Sequence, residues 1–252
     1  MFDENRPITD YLEDPQTGLT FQMCSHLATW LKCYVFAGYP ERLDLSKEDT
    51  DSRQQGANGV HVVKPDGTLL MNYRKTNLFW VDKYWAKPGT GFAVMDLPEP
   101  LNMRVALGVC MDLIVQPPAE WESLEDGPYE LASFVKEQKA DLLIVLNAWL
   151  ATEQPSDDSD EEEMDFGADK PDTRVFEYWY ARLRPLWSAG KGRSRQLPKE
   201  TTVAICNRTG LEEGSFLLDF EEDPFTACSR DLVRWNVRHI SAFARLWPAI
   251  HL

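Results

Sequence analysis

The chain has little with which to hold an ion or cross a bilayer. Its four histidines are scattered and its five cysteines form no Cys-x-x-Cys pair, so no metal site and no other cofactor is expected. An odd, widely spaced set of cysteines points to free thiols in a reducing compartment. The longest nearly apolar run, residues 142–151, is too short to span a membrane. The first residues show no basic segment leading into an apolar one, so no secretory leader and a cytoplasmic location are expected. Basic residues are also in deficit. Lys plus Arg number 26 against 41 Asp plus Glu, a formal charge of −15, which excludes nucleic-acid binding by bulk charge. Gly-x-Ser-x-Gly, phosphate-loop and Gly-x-Gly-x-x-Gly motifs are all missing.

What is present reads as a globular α/β chain. A length of 252 residues with 43% hydrophobic residues suits one large domain with a full core. Phe21, Cys24, Leu27, Ala28 and Leu31 recur at helical spacing, predicting a helix over 20–32 that Thr20 can cap. A strand over 33–37 follows, ended by Gly38 and Pro40, then a polar loop over 44–58. Residues 59–63 and 69–73 flank Lys64-Pro65-Asp66-Gly67, a strong hairpin turn. Apolar strands are expected at 104–109, 141–146 and 201–206, with helices over 128–139 and 173–187. Asp172 begins the second of these helices, Phe176, Trp179, Leu183 and Trp187 form its stripe, and Pro185 kinks its last turn. The strands at 33, 104, 141 and 201 are continuous apolar runs, as in sheets covered on both faces.

Eight acids and no base fall within residues 153–165, so 153–169 is expected to be an exposed acidic loop. Residues 229–247 fit an amphipathic helix carrying Arg230, Arg234, Arg238 and Arg245 beside an apolar stripe, which is either a simple docking helix or a surface for a membrane or a partner; a mispredicted exon or frameshift is the further reading.

Cys110 is the sharpest candidate for chemistry. It ends a buried strand after Gly108 and before Met111 and Asp112. At such a strand end a nucleophile is exposed, and the next backbone N–H can bind an oxyanion. A buried core cysteine would look the same in sequence. Lys75 closes a strand in Tyr73-Arg74-Lys75-Thr76. Near a cysteine it would favour thiolate and stabilise an oxyanion; alone it reads as a surface lysine. Asp112 either braces the cysteine turn or caps it. Asn147 and Trp149 follow a strand and line a pocket or, for Trp149, fill the core.

Tyr73-Arg74-Lys75-Thr76-x-Leu78 followed by Gly108-x-Cys110-x-Asp112 resembles the carbon–nitrogen hydrolase (nitrilase) superfamily. Gly38-Tyr39-Pro40-Glu41-Arg42, Cys110-Met111-Asp112-Leu113, Asn147-Ala148-Trp149-Leu150 and Asn207-Arg208-Thr209-Gly210 are similar to its fungal protein N-terminal asparagine/glutamine amidohydrolases, over about residues 7–214. The resemblance implies a four-layer α-β-β-α sandwich, here incomplete, and hydrolysis of a primary carboxamide to a carboxylate and ammonia. It implies a Glu-Lys-Cys triad with Lys75 and Cys110 as two members, and Asp112, Asn147 and Trp149 on the substrate side. Asp82 and Trp85 also match, with their roles open. The implied partners are protein or peptide N-termini bearing Asn or Gln, feeding an N-degron route, with no membrane and no nucleic acid. No oligomeric state is implied.

The triad glutamate of the family falls in a segment before Met1. The expectation is therefore a domain over 1–214 without its first strand and helix, a divergent tail over 215–252, and a chain inactive as written. Glu41 is the candidate substitute; a surface acid after a strand is the other reading of it. The rival functions are an amidase for small free carboxamides and a non-catalytic scaffold that keeps the fold.

Overall fold

The computed structural model describes residues 8–44, 54–149, 173–187 and 201–207. The acidic loop at 153–169, the helix expected over 229–247 and the tail lie outside these. The chain divides into two compact units, 1–148 with 177–206, and 149–176 with 207–252. Among the described residues the helices and strands are α1 (Leu19–Leu31), β1 (Val35–Arg42), β2 (Gly56–Val63), β3 (Leu69–Arg74), β4 (Ala93–Leu97), β5 (Met103–Val109), α2 (Glu130–Glu137), β6 (Leu142–Leu146), α3 (Thr173–Arg182) and β7 (Thr202–Cys206).

The described residues of the first unit form two sheets. One is antiparallel with order β1-β2-β3; the other has order β4-β5-β6-β7, antiparallel at β4/β5 and parallel across β5, β6 and β7. Their inner faces meet in one core. Val60, Val62 and Tyr73 pack with Met95, Leu97, Val105, Leu107, Val109 and Leu142. Strand side chains alternate in direction, so the opposite face of β2 carries Val63, which packs with Cys24 and Ala28 of α1. On the far side of the second sheet, α2 buries Leu131, Ala132 and Val135. Gly108 of β5 permits that approach, since a Cβ there would stand 2.9 Å from Leu131 Cδ2. The layers are helix, sheet, sheet, helix, the α-β-β-α sandwich expected.

Several local expectations change. The first strand continues through Gly38 and Pro40 to Arg42, because Pro40 sits at a sheet edge where no ladder N–H is required. The polar loop gives way to β2 from Gly56, which pairs with Arg42. Strand β4 was not expected at all. β1 and β7 are edge strands among the described residues and are only partly covered, unlike β5. Thr20 lies inside α1, and Glu13 does the capping instead. Its carboxylate accepts from the Thr20 N–H at 2.7 Å and the Thr20 hydroxyl at 2.8 Å. α3 ends at Arg182, with a 3-10 turn around Pro185, so Trp179 and Leu183 are buried while Phe176 and Trp187 are exposed.

His61 of β2 is fully buried, stacked on Tyr39 at 3.6 Å between ring centroids, and neither ring nitrogen has a partner among the described residues. Burial holds its pKa below the ordinary 6.5, against the pull of Glu13 and Glu41. Below 6.5 the unfolded chain therefore binds more protons than the folded one. This contribution to stability is complete above 6.5 and drains away as pH falls toward the folded value. His61→Phe should remove that pH dependence. It should also stabilise the chain by about 1–2 kcal/mol at neutral pH, because it ends the burial of unpartnered nitrogens. Urea midpoints of both chains near neutrality and at about pH 5.5 check this; a wild type no weaker in acid than the variant would contradict it.

Candidate active site

Four of the five sequence candidates gather in the first unit, on the turns that leave β3, β5 and β6. β5 ends at Val109, and residues Cys110–Leu113 turn in a short 3-10 helix. Cys110 itself has φ of +46°, a left-handed conformation that non-glycine residues seldom adopt. Two side chains hold it there. Asn147 Oδ1 accepts the Cys110 N–H at 3.0 Å, and Asp112 Oδ2 accepts the Val109 N–H at 2.8 Å. Cys110 is half-buried at the carboxyl end of a parallel strand. In an α/β sheet that is where the strands' ends open onto a site.

Lys75 follows β3 and is buried, with 3% of its surface exposed, which rules out the surface-lysine reading. A buried ammonium needs a partner, and Asp82 Oδ2 supplies it at 2.6 Å. The Phe79 N–H donates to the same oxygen at 3.1 Å, so the carboxylate is itself oriented. Burial raises the Cys110 thiol above its ordinary value. The Lys75 ammonium and a backbone hydrogen bond from Ala148 pull it down, while the charges of Asp82 and Asp112 push it up. The Met111 N–H follows directly after the thiol-bearing residue, the backbone position from which an oxyanion donor acts.

Asp112 is 1% exposed, and its two oxygens take four hydrogen bonds from Tyr73, Thr76, Asn77 and Val109. Its acceptor capacity is spent on the protein, so it braces the site. Its pKa is raised by burial, against the pull of those hydrogen bonds and of Lys75. Asn147 stands beside the cysteine through its Oδ1 contact, and its Nδ2 finds no acceptor among the described residues. Trp149 belongs to the second unit, where its backbone and the Asn207 side chain exchange two hydrogen bonds, at 2.8 and 3.2 Å.

Glu41 is not placed to act as a base. It is 1% exposed and both its oxygens are held at 2.7 Å by the Arg74 guanidinium. Asp82 is the site residue whose role the sequence left open. Its sequence signal is the match to the family branch, which does not announce the contact with Lys75. Arg182 backs the nucleophile's turn, donating to the Leu113 carbonyl at 2.5 Å and the Pro128 carbonyl at 2.6 Å, and it stacks on Trp121. No group of three His, Cys, Asp or Glu side chains among the described residues could hold a metal ion. No helix among them is long and apolar enough to cross a membrane.

Residues 2–122 match the family model described as carbon-nitrogen hydrolase. Two curated relatives, each called protein N-terminal amidase, are similar. The one from Schizosaccharomyces pombe is 24% identical over 220 residues, covering 84% of this chain and 69% of its own. The one from Saccharomyces cerevisiae is 25% identical over 166 residues, covering 59% of this chain and 34% of its own. A crystal structure of N-terminal amidase with an Asn-Glu-Ala peptide has a similar fold. It shows a TM-score of 0.55 and 20% identity over 72% of this chain and 55% of that one. This chain thus spans about half the length of the crystallised amidase.

Proposed function

We propose, from the match of residues 2–122 to the carbon-nitrogen hydrolase family model, that the chain hydrolyses the side-chain amide of an N-terminal Asn or Gln in a protein or peptide, giving Asp or Glu and ammonia. The observation that carries the reading is the pairing of a half-buried, positive-φ Cys110 with a buried Lys75 whose charge bears on the thiol. The Cys110 thiolate adds to the amide carbon, and the oxyanion is held by the Lys75 ammonium and the Met111 N–H. The C–N bond breaks and the nitrogen leaves as ammonia, carrying the proton lost by the thiol. Water then cleaves the thioester, restoring the thiol and releasing the carboxylic acid. Lys75 serves as a fixed cation, because the Asp82 carboxylate holds its Nζ in place. Asp112 and Asn147 keep the nucleophile's turn in place.

The peptide N-terminus, as against a free small carboxamide, is supported by the likeness to the two yeast amidases. An N-degron role and a cytoplasmic location are part of the same proposal. The domain is proposed to span residues 1–214, with the acidic stretch at 153–169 as an insertion and 215–252 as a separate tail. The test is ammonia release by the full chain from an Asn-initiated peptide, the same peptide with Asp in place of Asn, and a free small carboxamide. Little release, and from the first alone, is expected, because Glu41, the candidate substitute for the triad glutamate, is held by Arg74. Release from the small amide alone would replace this reading with a small-molecule amidase. Release from none of them would favour a non-catalytic scaffold.

A further inference from the structure

We infer that Asp112 is a positioning residue whose single carboxylate fastens the Lys75 turn to the Cys110 turn, so that the cation bears on the thiol. The inference rests on the reading of Cys110 and Lys75 as the reacting pair and says how their mutual placement is set. Each Asp112 oxygen takes two donors. Oδ1 accepts from the Thr76 N–H at 3.1 Å and the Asn77 N–H at 2.8 Å, the two residues that follow Lys75. Oδ2 accepts from the Val109 N–H at 2.8 Å, just before Cys110, and from the Tyr73 hydroxyl at 2.7 Å, two residues before Lys75. One side chain thus reaches across 39 positions of sequence and is bonded on both sides of Lys75. An amide in its place would offer one oxygen and turn an NH2 toward at least one N–H donor.

Electrostatics alone gives no reason for an acid there. The Asp112 charge opposes thiolate formation, as does that of Asp82, and among the charges of the described residues Lys75 alone favours it. Removing Asp112 therefore has two effects of opposite sign on the thiol. Loss of its charge makes the thiolate easier to form. Loss of the fastening makes it harder, but only while Lys75 is present to be misplaced.

The signs make the test. The full chain, Asp112→Asn, Lys75→Met and the double variant are treated with iodoacetamide over a range of pH, and modification of the Cys110 peptide is followed by mass spectrometry. Asp112→Asn should move the midpoint for Cys110 upward and slow its modification near neutrality roughly tenfold, as a one-unit rise in thiol pKa would. In the Lys75→Met background the same change should move the midpoint downward. A downward shift in both backgrounds, or none in either, overturns the inference. If a variant does not fold, Tyr73→Phe removes one of the four donors without changing any charge. It should move the midpoint upward, and an unmoved midpoint overturns the inference just as well. Alkylation needs no turnover. A chain that behaves as described yet releases no ammonia would sink the amidase reading and leave this arrangement standing.

Discussion

Replacing Lys75 with Met should destabilise the chain by about 3 kcal/mol, because it leaves the Asp82 carboxylate without its cation in a largely buried place. The same change should slow alkylation of Cys110 at neutral pH, since the ammonium is the strongest influence lowering its pKa. These two losses have separate causes and can be pulled apart. Adding Asp82→Asn removes the orphaned charge, so most of the stability should return. The reactivity of Cys110 should not return with it, because no cation has been put back. Denaturant midpoints and alkylation rates for the three chains give both readouts. Recovery of thiol reactivity in the double variant would mean that Lys75 acts only through the integrity of the fold.

Replacing Cys110 with Ala should lower turnover of an Asn-initiated peptide by roughly 10⁴-fold or more, as loss of a covalent nucleophile does. The fold should survive, because the turn is held by Asn147 and Asp112 through backbone N–H groups that alanine keeps. A comparison with Cys110→Gly adds a check on the geometry. The φ of +46° suits glycine and strains alanine, so the glycine chain should be the more stable of the two by about 1 kcal/mol. Calorimetry of the two chains decides this. Equal stabilities would mean that the turn relaxes once the thiol is gone.

The sandwich and the Lys75–Cys110 pair were legible because local signals and motif agreed. Val105, Leu107 and Val109 form a continuous apolar strand, and the break after it places Cys110 at the strand's end. The hairpin over 59–73 was legible from Lys64-Pro65-Asp66-Gly67. Strand β4 was not, since Ala93-Val94-Met95-Asp96-Leu97 is short and follows a Pro- and Gly-rich stretch. Its stability comes from pairing with β5, a contact that no local pattern announces. β1 was cut short because Pro40 reads as a breaker until its edge position is known. Asp82 was missed as a site residue for a similar reason. Phe79-Trp80-Val81-Asp82 has no periodicity, and only the turn that brings its carboxylate to Lys75 reveals the pair. Glu41 follows the same logic in reverse. Its Pro-Glu setting made it a tempting base, and the Arg74 side chain, one residue before Lys75, occupies both its oxygens.

The most direct test of Cys110 as a covalent nucleophile paired with Lys75 is a rapid acid quench of the full chain with an Asn-initiated peptide during turnover. Digestion and mass spectrometry would follow. A thioester-linked adduct confined to the peptide carrying Cys110, and absent from Cys110→Ala, is the predicted result. Ammonia release that continues in Cys110→Ala, with no adduct on the wild-type peptide, would contradict it.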